Sequence, residues 1–391
     1  MDAVRSLRVG PPSDPLSEVG PVIEPPQGKL EWALTTLEPG EEWLVAPERV
    51  DAPGLEGRLW RPGIRVGVRP GSRTHLEEFF GPVLGVMHAT SLAHAIELQN
   101  AVAYGLTAGL YTQNPADLER WLDGVEAGNL YVNRGITGAI VQRQPFGGWK
   151  RSSVGPGTKA GGPNYLIGLG AWRPSAGGAP SSTLHLRGLD SRITTLIEAA
   201  QPSLDYEGFD WLRRGALSDA LAWDREFGQV KDVSQLKVER NLFRYRPVDV
   251  AVRATGDALW HTVLRVIVAG LRAGSALTLS APVGLPAAVR RTLGDLGIPV
   301  FVESDDQWLE RMTATGEPHP PRTRLVGQPA SVAQLHRALA EAVGGDPDLA
   351  VYDNEVTTAG RIELLPFLHE QSVTITAHRF GNPDRWSEDV I

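Results

Sequence analysis

Apolar and polar positions along this chain change period repeatedly. From Pro82 an apolar run, Val83 to Met87, is followed by a stretch from Leu92 to Ala103 in which Ala95, Ile96 and Leu98 fall near one face of a helix; a second apolar run, Leu106 to Tyr111, comes next. Short apolar runs bounded by turn residues read as strands and a 3.6-residue period reads as an amphipathic helix, so this segment predicts strand, helix, strand. Asn114-Pro115 then supplies an N-cap with proline at the first helical position, where its missing N–H is no loss. That helix runs to about Glu126, Gly128 stops it, and Asn129 to Asn133 is another strand. The alternation resumes with a helix from about Ala258 to Ala273, a strand Ala276 to Ser280, a helix Pro286 to Gly297 and a strand Pro299 to Val302. A helix from about Val332 to Val343, a strand Leu349 to Tyr352 and a final strand Ser372 to Thr376 complete it. Strands and helices alternating at this spacing predict an α/β fold with parallel or mixed sheets and helices packed against them.

Between the two alternating regions, Arg173-Pro174-Ser175-Ala176-Gly177-Gly178-Ala179-Pro180-Ser181-Ser182 has the composition of a flexible linker. The expected organisation is therefore residues 1–172, a linker at 173–184, and residues 185–391. Two α/β regions in tandem suggest duplication, although no long self-similar segment joins them.

At 391 residues, 42% hydrophobic and 21% charged, the chain can bury a substantial core. The net charge of -8, with no block of Lys or Arg, argues against a nucleic-acid partner, since phosphate contacts need a clustered basic face. No run approaches the roughly 18 apolar residues of a membrane span, and Met1 to Arg5 has no signal-like character, which places the protein in the cytoplasm as an expectation. The nine histidines are scattered without zinc-site spacing, so no metal is assigned. The absence of cysteine removes disulfides, thiolate metal sites and cysteine-based covalent catalysis together.

Three segments carry candidate chemistry. In Glu77-Glu78-Phe79-Phe80-Gly81-Pro82, an ionised carboxylate is an acceptor-only group that can take both protons of a diol. In Gln144-Pro145-Phe146-Gly147-Gly148-Trp149-Lys150, adjacent glycines permit backbone conformations closed to other residues, so a tight turn can present Phe146. In Gly155-Pro156-Gly157-Thr158-Lys159-Ala160-Gly161-Gly162-Pro163-Asn164-Tyr165, successive exposed amides can form an anion nest. Lys159 could add a point charge there and ranks below the glycine amides. Each segment alone is also readable as surface: an acidic pair, a hydrophobic turn, a Gly/Pro loop. His378-Arg379 reads as a surface polar pair, and Asp305, Asp306, Glu355 and Glu363 show no recognisable catalytic spacing.

Together, and in this order, the segments resemble the Glu-x-Phe-Gly-Pro and Pro-Phe-Gly-Gly-x-Lys motifs of NAD(P)-dependent aldehyde dehydrogenases, with Asn100, Gly105-Leu106 and Asn133 in supporting positions. The resemblance implies that Glu78 accepts hydrogen bonds from the nicotinamide ribose, that Phe80 packs near the nicotinamide of NAD, and that Phe146 lines the substrate tunnel. Residues 155–166 resemble the aldehyde anchor loop of L-glutamate-γ-semialdehyde dehydrogenase, also called 1-pyrroline-5-carboxylate dehydrogenase, where Gly161 and Gly162 would hold the α-carboxylate of glutamate semialdehyde. Asn129 to Val141, leading into the glycine pair, is similar to the proline-catabolic branch. Asn241 to Pro247 and Ser372 to Asn382 resemble the degenerate aldehyde-dehydrogenase-like domain, thought of as structural, that follows the catalytic domain in long bifunctional proline utilization A proteins. The implied architecture is the C-terminal half of an aldehyde dehydrogenase catalytic domain followed by that α/β domain.

The resemblance begins just downstream of the family's cysteine region, around Asp2 to Ile23, so Met1 reads as internal and neither the nucleophile nor the NAD-binding domain has a counterpart. Two readings follow. In one, the chain is part of an NAD-dependent semialdehyde dehydrogenase, inactive alone, with a separately encoded N-terminal half as partner. In the other, it is a non-catalytic pseudoenzyme with a structural or carboxylate-binding role.

Overall fold

The computed structural model describes residues 1–173, 186, 188–314 and 319–391; residues 174–184 of the expected linker lie outside the described residues. The chain packs as two compact units, Met1–Ala103 with Asp123–Val125, and Tyr104–Leu122 with Glu126–Ile391. This division differs from the sequence expectation of a boundary at 173–184, because strands from both sides of that linker share one sheet.

In the first unit, helix α1 (Gly28–Thr35) precedes strands β1 (Glu42–Val45), β2 (Gly63–Val66) and β3 (Val83–Val86), and helix α2 (Leu92–Asn100) follows. The sheet order is β1-β2-β3, with β1 antiparallel and β3 parallel to the central strand. Ser91 caps α2 by accepting the His94 N–H at 3.1 Å. The centre of the unit is a fully buried guanidinium: Arg65 donates to Glu41 at 3.0 Å, to Thr74 Oγ1 at 3.0 Å and to the carbonyls of Ala33 and Thr36. Four acceptors hold this buried charge where a lone one would not be stable, leaving Arg65 Nε and Glu41 Oε1 buried without a hydrogen-bond partner among the described residues.

The second unit holds β4 (Thr107–Leu110), α3 (Pro115–Gly124, whose last residues belong to the first unit), β5 (Asn129–Val132), α4 (Ser191–Ala200), α5 (Tyr206–Ala222), β6 (Glu239–Pro247), β7 (Val250–Ala254), α6 (Trp260–Ala273), β8 (Leu277–Ala281), α7 (Ala287–Asp295), β9 (Val300–Val302), α8 (Asp305–Thr313), β10 (Arg322–Val326), α9 (Pro329–Ala342), β11 (Ala350–Tyr352) and β12 (Leu368–Thr376). Helix α3 starts as the sequence implies, with Asn114 Oδ1 accepting the Ala116 N–H at 3.1 Å, and it ends at Gly124, two residues before the expected Glu126.

Two sheets organise this unit. One is mixed: the two-residue strand Lys231–Asp232, then β6, β12, β5 and β4. In it β12 runs parallel to β5, from Ser372 opposite Asn129 to Ile375 opposite Val132, and antiparallel to β6 along nine residue pairs. Every residue of β5 is buried, as a central strand requires. The other sheet is wholly parallel, in the order β9-β8-β7-β10-β11, with helices as crossovers. Helix α6 is buried from Val263 to Leu271 and contributes to the largest apolar core. On it, Arg265 makes a two-pronged bond to Asp219 of α5 at 2.6 and 2.7 Å, both side chains being fully buried. No helix among the described residues is long and apolar enough to cross a membrane.

Candidate functional site

In the first unit the segment 77–82 leaves a short helix, Arg73–Leu76, and enters β3. Phe79 is its one buried residue. Phe79 is buried against the ring of Trp32, with centroids 5.5 Å apart, whereas Glu78 and Phe80 are exposed, Phe80 at 77% and with φ of 57°. An exposed aromatic on a left-handed residue is unfavourable for the isolated protein, the kind of local cost that marks a binding surface. Lys29 of α1 donates to the Glu78 carbonyl at 2.6 Å. Gly81 has no room for a side chain, since a Cβ there would lie 2.2 Å from Leu30 Cδ1. Glu78, Phe79 and Phe80 line a cavity of about 280 Å³.

In the second unit Phe146 and the anchor loop are brought together by a reciprocal backbone bridge, Phe146 N–H to Ala160 O and Ala160 N–H to Phe146 O, each 2.9 Å. The turn that holds Phe146 is tight for a reason other than the expected one. Neither Gly147 nor Gly148 adopts a left-handed φ; the requirement is space, since a Cβ on Gly148 would lie 2.2 Å from Ser152 Cβ. Asn129, at the head of β5, holds the turn by donating to Pro145 O at 3.1 Å and accepting the Gly147 N–H at 3.2 Å.

Lys159 does not take the role of a carboxylate-binding charge. Its side chain is buried, and the ammonium is committed to Asn129 Oδ1 at 2.8 Å and to the Gly147 carbonyl, so it staples the loop to the turn. Burial pushes its pKa down to about 7, opposed by the negative charge of Glu370. The two glycines differ as well. The Gly162 amide is spent inside the loop on Lys159 O at 3.0 Å. Gly161, exposed and at φ +70°, has no hydrogen-bond partner for its amide among the described residues. Residues 155–159 of the loop line a cavity of about 870 Å³ together with Trp149 and His369, whose rings stack at 4.8 Å; Gly161 and Gly162 are not among its lining residues.

Glu370, which carries no sequence signal, and Asn164, which lies in the loop segment without an assigned role, complete the second unit's cluster. Glu370 of β12 accepts the Lys159 N–H at 2.6 Å and the Asn164 side-chain N–H at 2.7 Å. Asn164 is fully buried and also reaches Tyr245 Oη at 2.8 Å and Arg361 at 3.0 Å. His378 and Arg379 are exposed, Arg379 pairing with Asp384 at 2.6 Å. Among the described residues no group of three His, Asp or Glu side chains lies close enough together to hold a metal ion.

The model of the aldehyde dehydrogenase family matches residues 1–167. Over those residues the chain resembles an aldehyde dehydrogenase family domain. The curated 1-pyrroline-5-carboxylate dehydrogenase of Bacillus subtilis (strain 168) is 40% identical over 163 residues, 42% of this chain and 31% of the relative. That of Geobacillus sp. (strain WCH70) is 38% identical over 167 residues, 43% of this chain and 32% of the relative. The chain thus spans about a third of the length of the curated relatives it matches. The structure of Proline Utilization A from Corynebacterium freiburgense superposes with a TM-score of 0.73 and 41% identity, over 97% of this chain and 34% of that one. The aldehyde dehydrogenase fold, α/β with mixed sheets, is therefore the fold of residues 1–167, and the likeness to the longer protein continues through the region after the linker.

Proposed function

We propose that this chain is part of an NAD-dependent L-glutamate-γ-semialdehyde (1-pyrroline-5-carboxylate) dehydrogenase of proline catabolism, in which it supplies the ribose-binding carboxylate Glu78 and the carboxylate-binding loop. The observation that carries this reading is the loop itself. An exposed, left-handed Gly161 with an unspent amide is a donor looking for an anion, and it stands beside Phe146 on a backbone bridge. Glu78 and Phe80, exposed at a cavity, fit a ribose diol and a nicotinamide ring; NAD, when bound, supplies the hydride acceptor.

In the proposed reaction a thiolate supplied from outside this chain would add to the aldehyde carbon of the semialdehyde, NAD held at Glu78 and Phe80 would supply the hydride acceptor, and water would release glutamate and restore the thiol. This chain orients the substrate and the cofactor ribose. None of its residues is a cysteine, so the nucleophile comes from polypeptide outside these 391 residues and the chain is inactive alone. The same absence favours the second reading, a pseudoenzyme that binds carboxylates without turning them over.

The test is NAD-dependent oxidation of glutamate semialdehyde by the purified chain, alone and after co-expression with the polypeptide encoded just upstream. Activity confined to the co-expressed sample is the expected result. A folded, soluble chain with no activity in either sample would remove the dehydrogenase reading and leave the pseudoenzyme.

A further inference from the structure

We propose that Glu370 is the positioning residue of the carboxylate-binding loop: its two carboxylate oxygens hold the two ends of the turn 159–164 and thereby fix the Gly161 amide between them. The inference rests on the functional reading above and deepens it by assigning a role to the last long strand of the chain.

The geometry leaves little freedom. Glu370 Oε2 accepts the backbone N–H of Lys159 at 2.6 Å, and Oε1 accepts Asn164 Nδ2 at 2.7 Å. The residues between them include left-handed Gly161 and a single internal bond, Gly162 N–H to Lys159 O at 3.0 Å. The orientation of the Asn164 amide is dictated by its neighbours: its oxygen faces Arg361, which can only donate, at 3.0 Å, and its nitrogen faces the carboxylate. Both Glu370 oxygens are thus used as acceptors, the arrangement an ionised carboxylate offers; burial raises the Glu370 pKa, and the bonds from Lys159 and Asn164 oppose that shift.

The clamp is itself anchored. Glu370 pairs with Tyr245 of β6 across the sheet, and its carbonyl accepts the Trp149 indole N–H at 2.9 Å. It is buried, as is Asn164, so water cannot substitute readily for either bond. Glu370 touches neither substrate nor cofactor in this scheme; it acts through the loop.

Glutamine is the informative replacement. It has one acceptor oxygen and one donor nitrogen, so whichever way it turns, an N–H faces either the Lys159 N–H or the Asn164 amide, and one of the two bonds to the turn is lost while the Ala160–Phe146 bridge and the Asn164 bonds to Tyr245 and Arg361 remain. The test titrates the full chain with L-glutamate, the product of the proposed reaction, and follows the Gly161 and Gly162 amide resonances, with hydrogen exchange measured in parallel. The expected result is saturable shifts in the wild type, at least about tenfold weaker binding in Glu370→Gln, and faster exchange at 159–164 while the Asn129 to Val132 amides keep their protection. Asn164→Ala, which frees the other end, should give the same pattern if Glu370→Gln does not fold. Unchanged glutamate affinity in the variant would overturn the proposal, and so would loss of protection throughout β5, which would make Glu370 a general structural residue. Absence of any shift in the wild type would overturn the carboxylate reading instead; the clamp would then stand or fall on whether Glu370→Gln speeds exchange at 159–164.

Discussion

Replacing Lys159 by methionine should change how stability depends on pH. The Lys159 ammonium is buried, and its pKa falls from 10.5 in an open chain to about 7 in the fold, chiefly through desolvation. Between those values the unfolded chain binds more protons than the folded one, so folding stability rises with pH across the window from about 7 to about 10. The slope is about 1.4 kcal/mol per pH unit, and over the shift from 10.5 to about 7 the whole contribution is at most about 5 kcal/mol. Methionine matches the length of the lysine stem and has no titration. It also gives up the bonds to Asn129 Oδ1 and Gly147 O, the latter left without that partner, at a cost of about 2–4 kcal/mol when the lysine is neutral.

The two effects run in opposite directions, so their balance changes with pH. At pH 6 the variant should be as stable as the wild type or more so, and near pH 10 it should be less stable. Urea unfolding followed by tryptophan fluorescence, at intervals from pH 6 to pH 10, measures the difference directly; groups common to both proteins cancel in it. A difference that stays constant over this range, or that moves in favour of the variant as pH rises, would refute the assignment of Lys159 as a buried, desolvated amine.

Three further outcomes are expected. Glu78→Ala, assayed in the assembled enzyme, should raise the KM for NAD by about tenfold or more, the loss of one or two hydrogen bonds to a charged acceptor, with little change in the KM for the semialdehyde; equal changes in both would argue against a ribose contact. Gly161→Ala places a Cβ on a residue at φ +70°, a conformation that costs about 1–2 kcal/mol for an L-residue, so the KM for the semialdehyde should rise while thermal unfolding moves by only a few degrees. Asp219→Ala strips Arg265 of both its carboxylate bonds inside the core and should destabilise the second unit by about 3–5 kcal/mol in denaturant titration, without altering glutamate binding to the loop.

The elements that the hydrophobic pattern marks are those whose polarity follows their environment. Helices α2, α3, α6, α7 and α9 and strands β3, β4, β5, β8, β9, β11 and β12 lie at or within a few residues of their expected positions. The strands left unmarked include the middle of the parallel sheet. Strand β10 reads Arg-Thr-Arg-Leu-Val and is buried at every position, because Arg322 donates to the carbonyls of Leu365, Pro366 and Leu368 and Arg324 is held by Asn354 O and Glu363. Strand β7 conceals Arg253 in the same way, against Ser280 and Asp305. A pattern of apolar positions assigns an arginine to the surface unless it knows what neutralises it, and those neutralising groups are tens of residues away.

The candidate site divides along the same physical line. Glycine motifs are legible because their constraint is local in sequence, yet even there the reason is tertiary: Gly128, which looks like a helix stop, would place a Cβ 2.0 Å from the Gly147 carbonyl and lets β5 lie against the Phe146 turn. Asn129 opens a segment that resembles the proline-catabolic branch without an assigned role, and Glu370 carries no motif at all. One is an asparagine at the head of a strand and the other a glutamate within one, and neither identity says that the first holds the Phe146 turn or that the second holds a loop 211 residues earlier. Strand pairing supplies that knowledge. With β12 set in register against β5 and β6, the Glu370 carboxylate has the Lys159 amide on one side and Asn164 on the other. The chemistry of the loop therefore depends on the last long strand of the chain, and a fragment ending before β12 would keep the Phe146 turn and the glycine loop while losing the support that gives the Gly161 amide its direction.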